Sequence, residues 1–169
     1  MTKRLILIRH AKSSWNDPYA DDHSRPLNNR GRLSATAIGR WLARHDYRPE
    51  KILCSDAART VETADLIMPE LGDRPGLQLS HALYHAAPEG IWQLLRKQTA
   101  SVVAVIGHNP GIGMLANGLV TSPPHHPRFQ DYPTCATTVI DIPDASSDRG
   151  ACVAFVVPRD LIGTQNGPD

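Results

Sequence analysis

Cysteine is scarce in this chain, and long apolar runs are missing altogether. Cys54, Cys135 and Cys152 are odd in number and widely spaced, with no CxxC pair. That excludes a disulfide framework or a zinc-thiolate site as the source of stability and points to a reducing compartment. The first apolar run, Leu5 to Ile8, stops at Arg9, far short of a signal-peptide core. No stretch approaches the length of a membrane span, so a cytoplasmic location without membrane attachment is expected. Charge of one sign is not in excess: 18 basic against 17 acidic residues leave +1, and aromatics make up only 5%. Neither figure supports a nucleic-acid binder. A local basic patch is invisible in such a sum, so an anion site has to be sought residue by residue.

What remains is an ordinary globular composition over 169 residues, long enough to bury a core without staples. One domain over residues 1–169 is expected, with a polar, frayed tail from about residue 158. The sequence sets no oligomeric state; a monomer suffices.

Two runs stand out as strands buried on both faces, Leu5 to Ile8 and Val102 to Ile106. A short strand is expected at Lys51 to Cys54, and a closing hairpin-like pair at Thr137 to Ile142 and Cys152 to Val157. Gly31 to His45 reads as a helix, because Leu33, Ala37, Ile38, Trp41 and Leu42 share one face. Ser55 stands where an N-cap belongs, before a helix over Ala57 to Met68 that Pro69 helps to stop. Pro88-Glu89 opens another helix, and Gly107 to Gly111 turns into a further one over Ile112 to Leu119. Ala11 to Arg30 is a long polar connection of the kind that is often functional. Thr121 to Pro133, with four prolines, must be irregular. The alternation predicts an α/β three-layer sandwich, a mostly parallel central sheet with helices on both faces.

In such sheets ligands bind beyond the carboxyl ends of the strands. His10 follows the first strong strand and His108 the second. Arg59 opens a helix after a third, where a fork-shaped cation beside helix N–H groups suits a phosphate dianion. Each is weak alone, since a histidine after a strand is more often a plain loop residue. Together with Arg9 they bring two histidines and two arginines toward one small anion.

These elements resemble a known family. Leu7-Ile8-Arg9-His10-Ala11-Lys12-Ser13-Ser14-Trp15, Arg25-Pro26-Leu27-Asn28-Asn29-Arg30-Gly31, Ser55-Asp56-Ala57-Ala58-Arg59-Thr60-Val61-Glu62-Thr63-Ala64 and Val105-Ile106-Gly107-His108-Asn109-Pro110-Gly111 are similar, in order and spacing, to the histidine phosphatase superfamily. Its fold is phosphoglycerate mutase-like. Ala11, in place of the commoner glycine, and the Arg-Pro-Leu element point to the branch of SixA-type phosphohistidine phosphatases. The resemblance implies a phosphatase in which His10 accepts the phosphoryl group while Arg9, Arg59 and His108 complete the pocket. Asn16 falls where larger members place a phosphate-contacting asparagine. No cofactor or metal is implied.

One departure matters. Larger members carry an acid between the third and fourth elements to protonate the leaving group. Here the corresponding stretch is Ala82 to Glu89, and it has no acid around Leu83 and Tyr84. Glu89 and His85 are the candidates for proton donor, although Glu89 is equally explained by the positive end of its helix. An absent strong acid favours a phosphoramidate such as protein phosphohistidine, whose imidazole leaves more easily than an alkoxide. The expected partner is then a phosphorylated protein, such as a histidine-phosphotransfer domain. The alternatives are a small phosphorylated molecule and a phosphomonoesterase reaction, or a non-catalytic phospho-ligand module.

Lesser signals are read conservatively. His81 and His85, four apart, are unlike a helical metal pair because Pro88 follows at once, and His125-His126 lack a third ligand. Trp15 and Trp92 are expected in core or rim packing. Lys12, Arg25 and Arg30 are candidates for a positive pocket mouth.

Overall fold

The first strand, β1 (Lys3–Arg9), shows why a continuous apolar run is required. Successive side chains of a strand point to opposite faces. In the structure, a computed structural model that describes residues 2–163, Leu5 and Leu7 enter one core and Ile6 and Ile8 the other. The strand β4 (Val102–Gly107) divides likewise, with Val103 and Val105 on one side and Ala104 and Ile106 on the other. Full burial of each such side chain contributes about 1.5–3 kcal/mol, so a polar residue anywhere in these runs would be costly.

The remaining strands are β2 (Lys51–Ser55), β3 (Gly76–Ser80), β5 (Thr137–Ile142) and β6 (Ala151–Val156), and the sheet order is β3-β2-β4-β1-β5-β6. The four strands from β3 to β1 are mutually parallel, while β5 runs antiparallel to both β1 and β6. Helices α1 (Asn29–Arg44) and α2 (Ala58–Ile67) cover one face, and α3 (Pro88–Arg96) and α4 (Gly111–Leu119) the other. This is the expected α/β sandwich.

Strand β3 was not legible in the sequence. It is an edge strand with Leu77 and Leu79 partly exposed, so no buried alternation marks it. Two other expectations need correction. Ser55 ends β2 rather than capping α2, whose N-cap is Ala57 without a side-chain bond; the hydroxyl is engaged elsewhere. The tail does not fray at 158, because Pro158–Ile162 forms a short helix, α5, against α1. Pro158 suits its first turn, and Asp160 takes the N–H of Val157 at 3.0 Å. The rest of the expected tail, residues 164–169, lies outside the described residues.

The long connection 11–30 is pinned at its base. Ser13 and Leu27 form an antiparallel bridge, and the N–H of Asn28 donates to Lys12 O at 3.0 Å. Asn28 then caps α1 by accepting from the Gly31 N–H at 2.8 Å. Gly31 is obligatory at this crossing: a Cβ there would lie 2.1 Å from Lys12 O. The loop thus leaves β1 and returns to α1 as a closed excursion over the strand ends.

Candidate active site

The carboxyl ends of β1, β2 and β4 open into a cavity of about 510 Å³, lined by Arg9, His10, Arg59 and His108. Seven lysine or arginine side chains and two aspartates line it, so the near-neutral chain concentrates positive charge at one place. Arg59 and His108 are each 2% exposed and His10 7%. The rings of His10 and His108 lie 5.3 Å apart.

His10 is held in one tautomer. Its Nδ1 lies 2.6 Å from the backbone carbonyl of Ala11, which can only accept, so Nδ1 carries the proton and Nε2 keeps its lone pair. Burial is the main force that pushes its pKa down to about 3, with the neighbouring Arg9, His108 and Arg59 adding to it and the Ala11 carbonyl opposing. A neutral imidazole with a free Nε2 is chemically able to attack phosphorus.

His108 is fixed from both sides. Arg59 Nη2 donates to Nδ1 at 3.3 Å, so Nε2–H donates to Ser55 Oγ at 2.8 Å. This is where the Ser55 hydroxyl is engaged. Burial, then Arg59, pushes the His108 pKa to about 3. His108 is therefore a neutral imidazole, and a phosphate dianion beside it would favour the imidazolium.

Arg59 is anchored through Asp22. Its Nη1 donates to Asp22 O at 2.6 Å and its Nη2 to Asp22 Oδ2 at 3.0 Å. The Asp22 carboxylate also receives Arg25 Nη2 at 3.0 Å, His85 Nε2 at 3.0 Å and the Tyr84 hydroxyl. Partial burial pushes its pKa up, but the bonds from Tyr84, Arg25, His85 and Arg59 outweigh it and hold the carboxyl well below the usual range. The Nε groups of Arg9, Arg25 and Arg59 are buried with no hydrogen-bond partner among the described residues. Buried donors without a partner are costly, and each of these three side chains also lines the cavity.

Most of the sequence candidates converge here. Arg9, His10, Arg59 and His108 line the cavity, as do His85, Lys12, Arg25 and Arg30. Asn16 does not; it is exposed in the outer loop. Glu89 does not either, standing exposed in the first turn of α3. Trp15 is 75% exposed, with the Arg25 guanidinium 3.6 Å over its ring at the cavity rim. Sequence reasoning missed Asp22 and Tyr84. Asp22 belongs to a polar loop rich in aspartate, and only the three-residue spacing to Arg25 could have singled it out.

His81 and His85 turn to different partners: His85 faces Asp22, and His81 faces Asp56. Gly111 approaches the carbonyl of Ala86 so closely that a Cβ would lie 1.9 Å from it. Helix α4 thereby braces the segment that carries Tyr84 and His85. His85 itself adopts φ +53°, a left-handed conformation that side chains other than glycine seldom hold outside functional or tightly packed sites.

Known proteins agree with this geometry. The sequence signature of the histidine phosphatase superfamily (branch 1) matches residues 5–84. An uncharacterized protein of Mycobacterium tuberculosis is 30% identical over 163 residues, covering 90% of this chain and all of its own length. An uncharacterized chloroplastic protein of Arabidopsis thaliana is 31% identical over 122 residues, which are 66% of this chain but only 56% of the plant protein. A crystal structure from Agrobacterium tumefaciens, assigned as phosphohistidine phosphatase SixA, superposes with a TM-score of 0.79 at 26% identity, covering 92% of this chain and 98% of the other. No helix among the described residues is long and apolar enough to cross a membrane. With the sheet order, the paired histidines and the arginine cradle in place, the chain belongs to the histidine phosphatase superfamily, in its SixA-type branch, and is a phosphatase.

Proposed function

We propose that this phosphatase removes phosphate from protein phosphohistidine, or a related phosphoramidate, through a covalent intermediate on His10 and without a metal. The observation that carries the reading is the state of His10: neutral, with Nδ1 committed to the Ala11 carbonyl and Nε2 free. In the first step Nε2 attacks phosphorus and the substrate's P–N bond breaks. The departing imidazole leaves neutral once it takes a proton. In the second step water attacks the phosphoryl group, the P–N bond to His10 breaks, and inorganic phosphate departs. Arg9 and Arg59 balance the charge that spreads over the phosphoryl oxygens, joined by His108 once the bound dianion draws a proton onto it.

Proton transfer falls to the groups gathered at Asp22. Glu89 is outside the cavity lining, so His85 is the better placed of the two expected donors. Asp22, held ionised well below the usual range, is too weak a base for the hydrolytic water and instead positions His85 and Arg59. An open cavity beside an exposed Trp15 supports a phosphorylated protein, such as a histidine-phosphotransfer domain, over an enclosed metabolite. The same Asp22–His85 pair favours a second reading. With His85 as proton donor in place of the missing acid, a phosphomonoesterase activity on small molecules is consistent with this site.

The test is phosphate release from a phosphohistidine-bearing phosphotransfer domain, beside para-nitrophenyl phosphate and sugar phosphates, with chelator present. The expected result is preferential turnover of phosphohistidine and none by His10→Ala. Preference for an ester would overturn the substrate class. Activity surviving in His10→Ala would overturn the nucleophile, and absence of any phosphate trapped on His10 would favour a pure binding module.

A further inference from the structure

Beside the cavity, three side chains from separate segments meet at one point. His23 Nε2 lies 2.8 Å from Asp56 Oδ1, and His81 Nδ1 lies 2.9 Å from Asp56 Oδ2. The three ligand atoms all lie within 4.8 Å of one another. None of these residues lines the catalytic cavity, and none has a part in the chemistry above.

The fold itself produces the meeting. Strands β2 and β3 run parallel with Ser55 opposite Ser80, so the next residue of each, Asp56 and His81, leaves the sheet side by side. His23 arrives from the 11–30 loop, and its carbonyl accepts the Ala58 N–H of the first turn of α2 at 2.9 Å. Its ring is further held edge-on against Tyr84, 4.9 Å away. Two of the three ligands therefore have backbones fixed to the β2–α2 junction or its neighbour, and the third is tied there by one hydrogen bond.

We propose that His23, Asp56 and His81 form a binding site for a divalent transition metal of the zinc class, which clamps the 11–30 loop to the β2–α2 junction. Two imidazoles and a carboxylate are the donor set of zinc, cobalt or nickel and unsuited to magnesium or calcium, which prefer oxygen alone. Tetrahedral zinc with bonds of about 2.0–2.1 Å needs donor atoms roughly 3.3 Å apart, so the two His–Asp contacts of 2.8 and 2.9 Å widen slightly around the ion. The ion binds His23 Nε2 and His81 Nδ1, each imidazole carrying its one proton on its other ring nitrogen, and water completes the fourth position. The site adds to the phosphatase rather than entering its reaction. His23 follows Asp22, so an ion here secures the turn that holds Asp22 on Arg59.

The experiment uses the full chain stripped with chelator and titrated with Co²⁺ and Zn²⁺. The expected result is one Co²⁺ per chain with a tetrahedral d–d spectrum, displaced by Zn²⁺. At about one hundred times the Kd, Zn²⁺ should raise the melting temperature by about 5–10 °C. His81→Ala, at an exposed position, and His23→Ala should each abolish the spectrum and the shift. His81→Ala should also keep phosphatase activity in chelator, which shows that it folds. His125→Ala with His126→Ala should bind like the parent. Binding only at millimolar metal, an octahedral spectrum, or tight binding that survives His81→Ala would overturn the site. None of these outcomes bears on His10, so the catalytic reading stands or falls separately.

Discussion

Acid should unfold this protein earlier than its composition suggests, because two histidines are buried in their neutral form. His10 and His108 both stand at about 3 in the folded chain against an ordinary 6.5. Below 6.5 the unfolded chain takes up protons at both positions while the folded chain takes neither. Stability is therefore complete above about pH 6.5, declines as pH falls from there, and levels off only near 3. The slope approaches about 1.4 kcal/mol per pH unit for each histidine. At pH 5 the loss is about 2 kcal/mol each and roughly 4 kcal/mol together. For a chain of this size that lowers the melting temperature by roughly 8–16 °C between pH 7.5 and 5. Calorimetry of the parent and of His10→Asn/His108→Asn decides it. The double variant should lose most of the pH-dependent fall, and an equal fall in both proteins would refute the buried neutral pair. The same physics has a kinetic corollary: an acid limb of kcat/KM near pH 6.5 does not report His10, which stays neutral until pH approaches 3.

Three further outcomes follow from the contacts. Asp22→Asn should loosen Arg59 and His85 and lower kcat about 10²-fold; an unaltered steady-state rate would show that Asp22 does not position the pocket. Arg59→Ala should lower kcat about 10²–10³-fold and weaken inhibition by inorganic phosphate together, and a variant changed in neither would leave Arg59 a scaffold residue. Gly31→Ala sets a Cβ against the Lys12 carbonyl at 2.1 Å, so urea denaturation should show a loss of about 1–3 kcal/mol; an unchanged midpoint would mean that the loop yields freely.

Local pattern and tertiary convergence divided the information between them. Strands β1 and β4 were legible because a strand buried on both faces must be apolar throughout, and helix α1 because Ile38, Trp41 and Leu42 share one face, although Leu33, expected on that face, is 59% exposed. Their ends located Arg9, His10 and His108, since a ligand in a parallel sheet meets the carboxyl ends of strands. Edge strand β3 was illegible, because half-exposed Leu77 and Leu79 obey no burial pattern. Ser55 was misread as a cap because a hydroxyl before a helix serves equally well as a partner for a buried imidazole. Asp22 was hidden among the loop's other carboxylates. What singles it out is the arrival of Arg25, Arg59, Tyr84 and His85 from three other places in the chain.

The sequence by itself determined the layer architecture, the strand ends that carry the histidines, and the cationic character of the pocket, because periodicity and residue type are local properties. Only the tertiary structure decided which tautomer His10 adopts, that His108 is neutral at rest, that Glu89 and Asn16 stand outside the cavity, and that His81 meets His23 rather than His85. Each of these depends on distances between segments that are far apart in the chain, and on the loss of water around them, neither of which any local pattern records.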